Sequence, residues 1–128
     1  MGNEIFSAET NSNLASVYAD MEKLDYAMFH VNKSIATFEK EDIPEWLAYD
    51  YEIKGKTYLK EGELKWALYW YKQAELLHKK LHDDRGKINL YNGIAAAYLG
   101  QQQDSISLDY AYRSMALSNR IYYPEGKQ

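Results

Sequence analysis

The 128-residue chain contains no cysteine, two prolines and seven glycines, none of which forms a run. The missing thiols exclude disulfide scaffolds, cysteine nucleophiles, iron–sulfur centres and cysteine zinc sites. The isolated glycines exclude the phosphate-cradling loops GxGxxG and GxxxxGK[ST], so no nucleotide or other cofactor is expected. Positive charge is also scarce: 15 Lys+Arg against 19 Asp+Glu give a net charge of −4. That balance supplies no field to hold a phosphate backbone, and nucleic acid is not the expected partner. Long apolar runs are missing too. The longest, Ile94 to Leu99, is far below the roughly 20 residues that cross a bilayer, so this segment should not insert into a membrane. Met1 to Asn11 carries no basic residue and no apolar stretch of signal-peptide length. Gly2 lacks the Ser or Thr that myristoylation requires at the place of Phe6. A soluble segment is expected, with the cytoplasm favoured over the periplasmic part of a sensor. One domain, residues 1–128, is expected at this length.

What the chain does have is a repeat. A shift of 40 residues aligns Tyr18 with Tyr58 and Tyr98, and Leu24 with Leu64. It also aligns three columns of small residues: Ala15, Gly55 and Ala95; Ala27, Ala67 and Ser107; Ser34, Ala74 and Ser114. Within each copy, small and large residues recur at helical spacing, so each unit predicts two helices that approach closely where the small side chains face. Pro44 suits the first turn of a helix because its missing N–H would be unpaired there. Asp83 and Asp84 offer carboxylates to free N–H groups at the equivalent place. Gly62 and Gly100 are consistent with left-handed helix stops. Helices are expected at about 7–22, 24–40, 44–61, 64–81, 84–100 and 104–122, grouped in repeats of about 4–43, 44–83 and 84–123. Strand signal is absent.

The segment from Tyr51 through Gly55, Tyr58, Gly62, Ala67 and Tyr71 to Ala74 resembles a tetratricopeptide repeat. The other copies depart from it at Ala15, Glu22, Gln102 and Ser107. The resemblance implies an all-α, right-handed solenoid of three helix-turn-helix pairs. A period of 40 in place of about 34 places about six extra residues after each second helix. The stretch from Leu81 to Ile94 resembles the longer repeats of bacterial regulatory proteins. That likeness implies a non-catalytic protein- or peptide-binding domain, the sensory or scaffolding part of a sensor kinase or transcriptional regulator. The same shift places Pro124 to Lys127 at the start of a fourth copy, so a truncated longer array is expected. Apolar residues around most of the last helix, Ile106 to Ile121, point the same way, because solenoid ends normally carry a polar cap.

Side-chain chemistry offers little catalysis. His78 and His82 sit four apart, a spacing zinc can use. Lys79 and Lys80 lie between them where a metalloprotease would have glutamate, no third ligand is evident, and the helix dipole already favours a histidine in a last turn. No metal is expected. The acidic pairs Asp83–Asp84 and Glu41–Asp42 read as helix caps, and no acid, base and nucleophile converge.

Two surfaces compete as the binding site. The family's groove columns, carried onto this chain, select Ser12, Ser16 and Asp20, then Tyr49, Glu52, Lys56 and Lys60, then Asn89, Asn92 and Ala96. Lys56 and Lys60 could hold a carboxylate, the two asparagines a peptide backbone, and Tyr49 an apolar anchor. The chaperone-tail clamp of the family is not met, since Ser12, Ser16 and Glu52 occupy its key places. An ordinary solvated helix face is the alternative. On the outer face, Tyr26 and His30, Trp66 and Trp70, and Ile106 and Tyr110 occupy equivalent positions, an aromatic column that could form an interface or fold back over the solenoid. With the apolar last helix, that column raises a self-association module, a homodimer through the C-terminal helix, as the alternative function.

Overall fold

The computed structural model describes residues 2–122, all of them helical except for five three-residue turns. The helices are α1 (Gly2–Asp20), α2 (Leu24–Lys40), α3 (Pro44–Lys60), α4 (Leu64–Lys80), α5 (Asp84–Gly100) and α6 (Asp104–Tyr122). The expected elements are present; α1 starts earlier than expected, near Gly2. Pro44 opens α3, and the Asp83 carboxylate accepts the Gly86 N–H at 2.9 Å to cap α5.

Every turn is built alike. After α1, Glu22 N–H bonds to Ala19 C=O and Lys23 N–H to Tyr18 C=O, the paired bonds of a Schellman stop. The same two bonds close α2, α3, α4 and α5. The residue that must turn left-handed is Glu22, Asp42, Gly62, His82 or Gln102, with φ between 54° and 81°. Gly62 therefore has the role its sequence position predicted. Gly100 does not: it is the last residue of α5, and the left-handed residue is Gln102. Gly100 is small for another reason, since a Cβ there would lie 2.9 Å from Leu64 Cδ1. The expected insertion after each second helix is also absent. Turns after first and second helices have equal length, so the period divides evenly and the extra residues lie within the helices.

Helices pack as neighbours along the chain, in the manner of a helical repeat. The small-residue columns are where each pair closes: Ala15, Ala27 and Ala67 are fully buried, and Ser107 donates to the Ala95 carbonyl at 2.7 Å. Beyond chain neighbours, the α3 backbone lies against both α1 and α5, whereas the backbones of α2, α4 and α6 stay apart, and Lys72 of α4 reaches Tyr110 of α6 only through its long side chain. The first helices thus form a continuous row. Two apolar clusters fill the interior, one around Val31, Ile35 and Phe38 and the other around Tyr71, Leu90 and Ile94, with Tyr51 packed against both. No helix is long and apolar enough to cross a membrane among the described residues. Pro124 to Lys127, the expected start of a fourth copy, lie outside those residues.

Candidate functional site

The row formed by α1, α3 and α5 carries the predicted groove residues, and their placement divides them. Asp20, Tyr49, Lys60, Asn89, Asn92 and Ala96 are exposed, and Ser16 and Lys56 are half-buried. Ser12 is fully buried, so it cannot be a groove contact: its hydroxyl donates to Asp50 Oδ1 at 2.5 Å, tying α1 to α3. Glu52 is half-buried and turned to α4, where its Oε2 lies 3.0 Å from His78 Nε2.

Lys56 and Lys60, the expected carboxylate holders, already have carboxylates. Lys56 Nζ donates to Asp20 and Lys60 Nζ to Glu22, both across from α3 to the end of α1. The Lys56 hydrogen bond, then its charge, holds Asp20 below the usual carboxylate range. These exposed pairs are each worth little to stability. For binding they mean that an incoming carboxylate must displace one that is already there.

Sequence reasoning missed Asp50. It is fully buried, and Ser12 satisfies only one oxygen, leaving Oδ2 without a partner. The Ser34 hydroxyl donates to the Val31 carbonyl at 2.9 Å. Burial pushes the Asp50 carboxyl up to about 7, against the lowering effect of the Ser12 and Ser34 hydroxyls. No periodic signal could have found it, because the equivalent positions hold Thr10 and Leu90.

His78 is not a surface histidine resting on a helix dipole. It is buried between Glu52 and Asp83, with Nδ1 3.2 Å from Asp83 Oδ2. Burial pushes its pKa down, but the hydrogen bond and charge of Glu52, supported by Asp83, outweigh that and raise it. His82, four residues on, is exposed in the turn with φ 55°. No group of three or more His, Asp or Glu residues able to hold a metal ion occurs among the described residues.

The outer aromatic column is interrupted. Tyr26 and Trp66 are more than half exposed, stacked on Tyr18 and Tyr58 with ring centroids 5.2 and 6.2 Å apart. Trp70 is half-buried beneath Lys54, whose Nζ lies 4.3 Å from the ring centroid. Tyr110 is buried and is therefore not an interface residue. In the third pair Ile106 stands where the others have Tyr26 and Trp66, and Tyr98 stacks on Tyr110 at 5.8 Å, as Tyr18 stacks on His30 at 5.5 Å in the first pair; Tyr91 lies at the side of Tyr110, and Lys72 Nζ donates to its hydroxyl at 2.6 Å.

Two of the surface depressions bear on these faces. One, of about 560 Å³, lies beside Trp66 and Tyr69 between the α3–α4 turn and Gln101. The other, of about 300 Å³, lies on the first-helix side and is lined by Asn13, Glu45, Trp46 and Tyr49. Comparison with known protein families, characterised proteins and solved structures gives no match to this chain.

Proposed function

We propose that this chain is a binding module, without catalysis of its own, that takes an extended peptide along the row of α1, α3 and α5. The observation that carries the reading is the contact of α3 with both α1 and α5, which aligns exposed side chains of three helices on one side. Tyr49, Asn89 and Asn92 combine an aromatic anchor with side-chain amides that can pair with a peptide backbone. The tetratricopeptide likeness, with its right-handed coiling, and a sensory or scaffolding place in a bacterial signalling protein are part of this proposal; they rest on the repeat columns of the sequence and on analogy of fold. The test is selection of random peptides displayed on phage against the whole chain, repeated with Asn92→Arg and with Trp66→Glu. Loss of capture with Asn92→Arg alone supports the groove. Capture that survives Asn92→Arg overturns it.

A second reading is self-association. Trp66 and Tyr69 are about half exposed around their depression, and α6 exposes Leu108, Tyr112 and Met115. Light scattering over a wide concentration range tests it. A dimer that Trp66→Glu or Met115→Glu dissociates favours this reading, and a monomer at every concentration removes it.

A further inference from the structure

The α3 end of the first-helix row holds an arrangement that neither neighbouring pair repeats. Trp46 lies flat on Phe38, with ring centroids 5.4 Å apart and planes at 14°, so the core fixes the indole. Tyr49, three residues on, meets it at 76° with centroids 5.7 Å apart. The two rings form a corner on the 300 Å³ depression, with Glu45 and Asn13 as its polar walls. Glu45 is exposed and has no ion pair among the described residues. Glu41 and Asp42 precede it in the turn, while the lysine there, Lys40, is engaged by Glu4. Positions equivalent to Glu45, Trp46 and Tyr49 hold Ile5, Phe6 and Glu9 in α1, and Arg85, Gly86 and Asn89 in α5.

Resting on the peptide-binding reading above, we infer that this corner selects a lysine or arginine side chain of the bound peptide. The ring face left open by the edge-to-face contact of Trp46 and Tyr49 attracts a cation through its quadrupole, and the carboxylate of Glu45 adds a charge-assisted hydrogen bond. An acidic side chain would meet like charge at Glu45, and the lining, which is mainly apolar, accepts the methylene stem that lysine and arginine carry beneath their charge. The opposite end of α3 cannot compete for the cation, because Lys56 and Lys60 stand there.

The test starts from the peptides that display selection enriches on the whole wild-type chain. The expected outcome is a lysine or arginine at one fixed position, and a synthetic peptide of that sequence whose affinity falls about tenfold when norleucine replaces the cation. Glu45→Gln, at an exposed position, is expected to weaken the cationic peptide by about threefold to tenfold and to leave the norleucine peptide unchanged, whereas Tyr49→Ala is expected to weaken both peptides and the cationic one more, with helicity by circular dichroism intact in each. Enriched peptides without a fixed cation, or a cation preference that persists in both variants, overturn the corner while the groove reading stands. If no peptide is enriched, both fall.

Discussion

Between the first and second helix pairs, Val31 of α2 shares an apolar cluster with Ala15 and Ile53; forty residues on, Tyr71 of α4 stands between Gly55 and Gly93. The contrast extends along both junctions. Phe38 stacks on Trp46 in the first, whereas its counterpart His78 faces Gly86, where a Cβ would lie 2.5 Å from the imidazole. Asp50 is buried against Ser12 and Ser34 in the first, and the equivalent places in the second hold Leu90, Glu52 and Ala74. The two junctions therefore share a backbone geometry but not a set of side chains: in the second, Tyr71 and His78 are each matched by glycine on the neighbouring helices, whereas in the first the ring of Phe38 is matched by that of Trp46. Close packing demands this, because an interior at crystal-like density tolerates neither a void nor an overlap. The buried ionisable groups differ likewise. The first junction holds a carboxyl with one oxygen unpartnered, and the second an imidazole whose Nε2 meets Glu52 while its Nδ1, 3.2 Å from the Asp83 carboxylate, makes no hydrogen bond.

The largest expected effect comes from breaking the second junction at its centre. Tyr71→Ala leaves the space between two glycines unfilled and is expected to cost about 3–5 kcal/mol of unfolding free energy, measured by urea denaturation. Val31→Ala, the same truncation in the first junction, is expected to cost less because it removes fewer atoms; an equal or greater loss there would contradict the packing described.

Next in size is the polar cluster. Ser12→Ala removes the 2.5 Å hydrogen bond to Asp50 and is expected to cost about 1–3 kcal/mol. Replacing the whole polar set of the first junction by apolar residues, with Ser12→Ala, Ser34→Ala and Asp50→Leu together, is expected to restore or exceed wild-type stability, as replacement of a whole buried polar set often does. A triple variant less stable than Ser12→Ala alone would show that Asp50 contributes more than it costs.

The pH dependence sharpens the same contrast. The folded pKa of Asp50, about 7, lies above its ordinary 3.8, so the native state holds the extra proton between those values. Its contribution is complete below pH 3.8 and is lost as pH rises through 7, with a slope of up to about 1.4 kcal/mol per pH unit. His78 is also raised; its contribution is complete below its ordinary 6.5 and is lost as pH rises through the folded value. Both groups make the array less stable at pH 8 than at pH 6. Asp50→Asn is expected to flatten the part of the profile below pH 7 and leave the part above it. Melting temperatures across pH 4 to 9 for both proteins measure this, and parallel profiles would contradict it.

The smallest effect lies in the turns, where the junctions do not differ. Gln102 adopts φ 63° in the place where Gly62 has φ 81°. Gln102→Gly is expected to stabilise by about 1 kcal/mol and Gly62→Ala to destabilise by a similar amount, each read as a shift in melting temperature. A destabilised Gln102→Gly would mean that the glutamine side chain makes a contact worth more than its backbone strain.

The candidate site was legible in proportion to how local its determinants are. Tyr49, Asn89 and Asn92, selected by the groove columns of the family the repeat resembles and sharing the spacing of one helix face, are exposed, since exposure on such a face depends on a few neighbouring residues. Ser12 has the same spacing as Ser16 and cannot be told from it until α3 arrives and brings Asp50, 38 residues away. Lys56 and Lys60 looked free because Asp20 and Glu22 lie on a different helix. Tyr110 was assigned outward by its equivalence with Trp70, and the groups that bury it, Tyr91 and Tyr98 of α5 and Lys72 of α4, come from other helices.

The sequence by itself determined six helices, the left-handed turn at Gly62 and the columns of small residues along which the pairs close, because periodicity, capping and backbone conformation act over a handful of residues. The tertiary structure decided which polar groups are buried, which charges are already neutralised and where two aromatic rings meet in a corner. Those outcomes depend on side chains far apart in the chain, whose meeting is set by how whole helices stack.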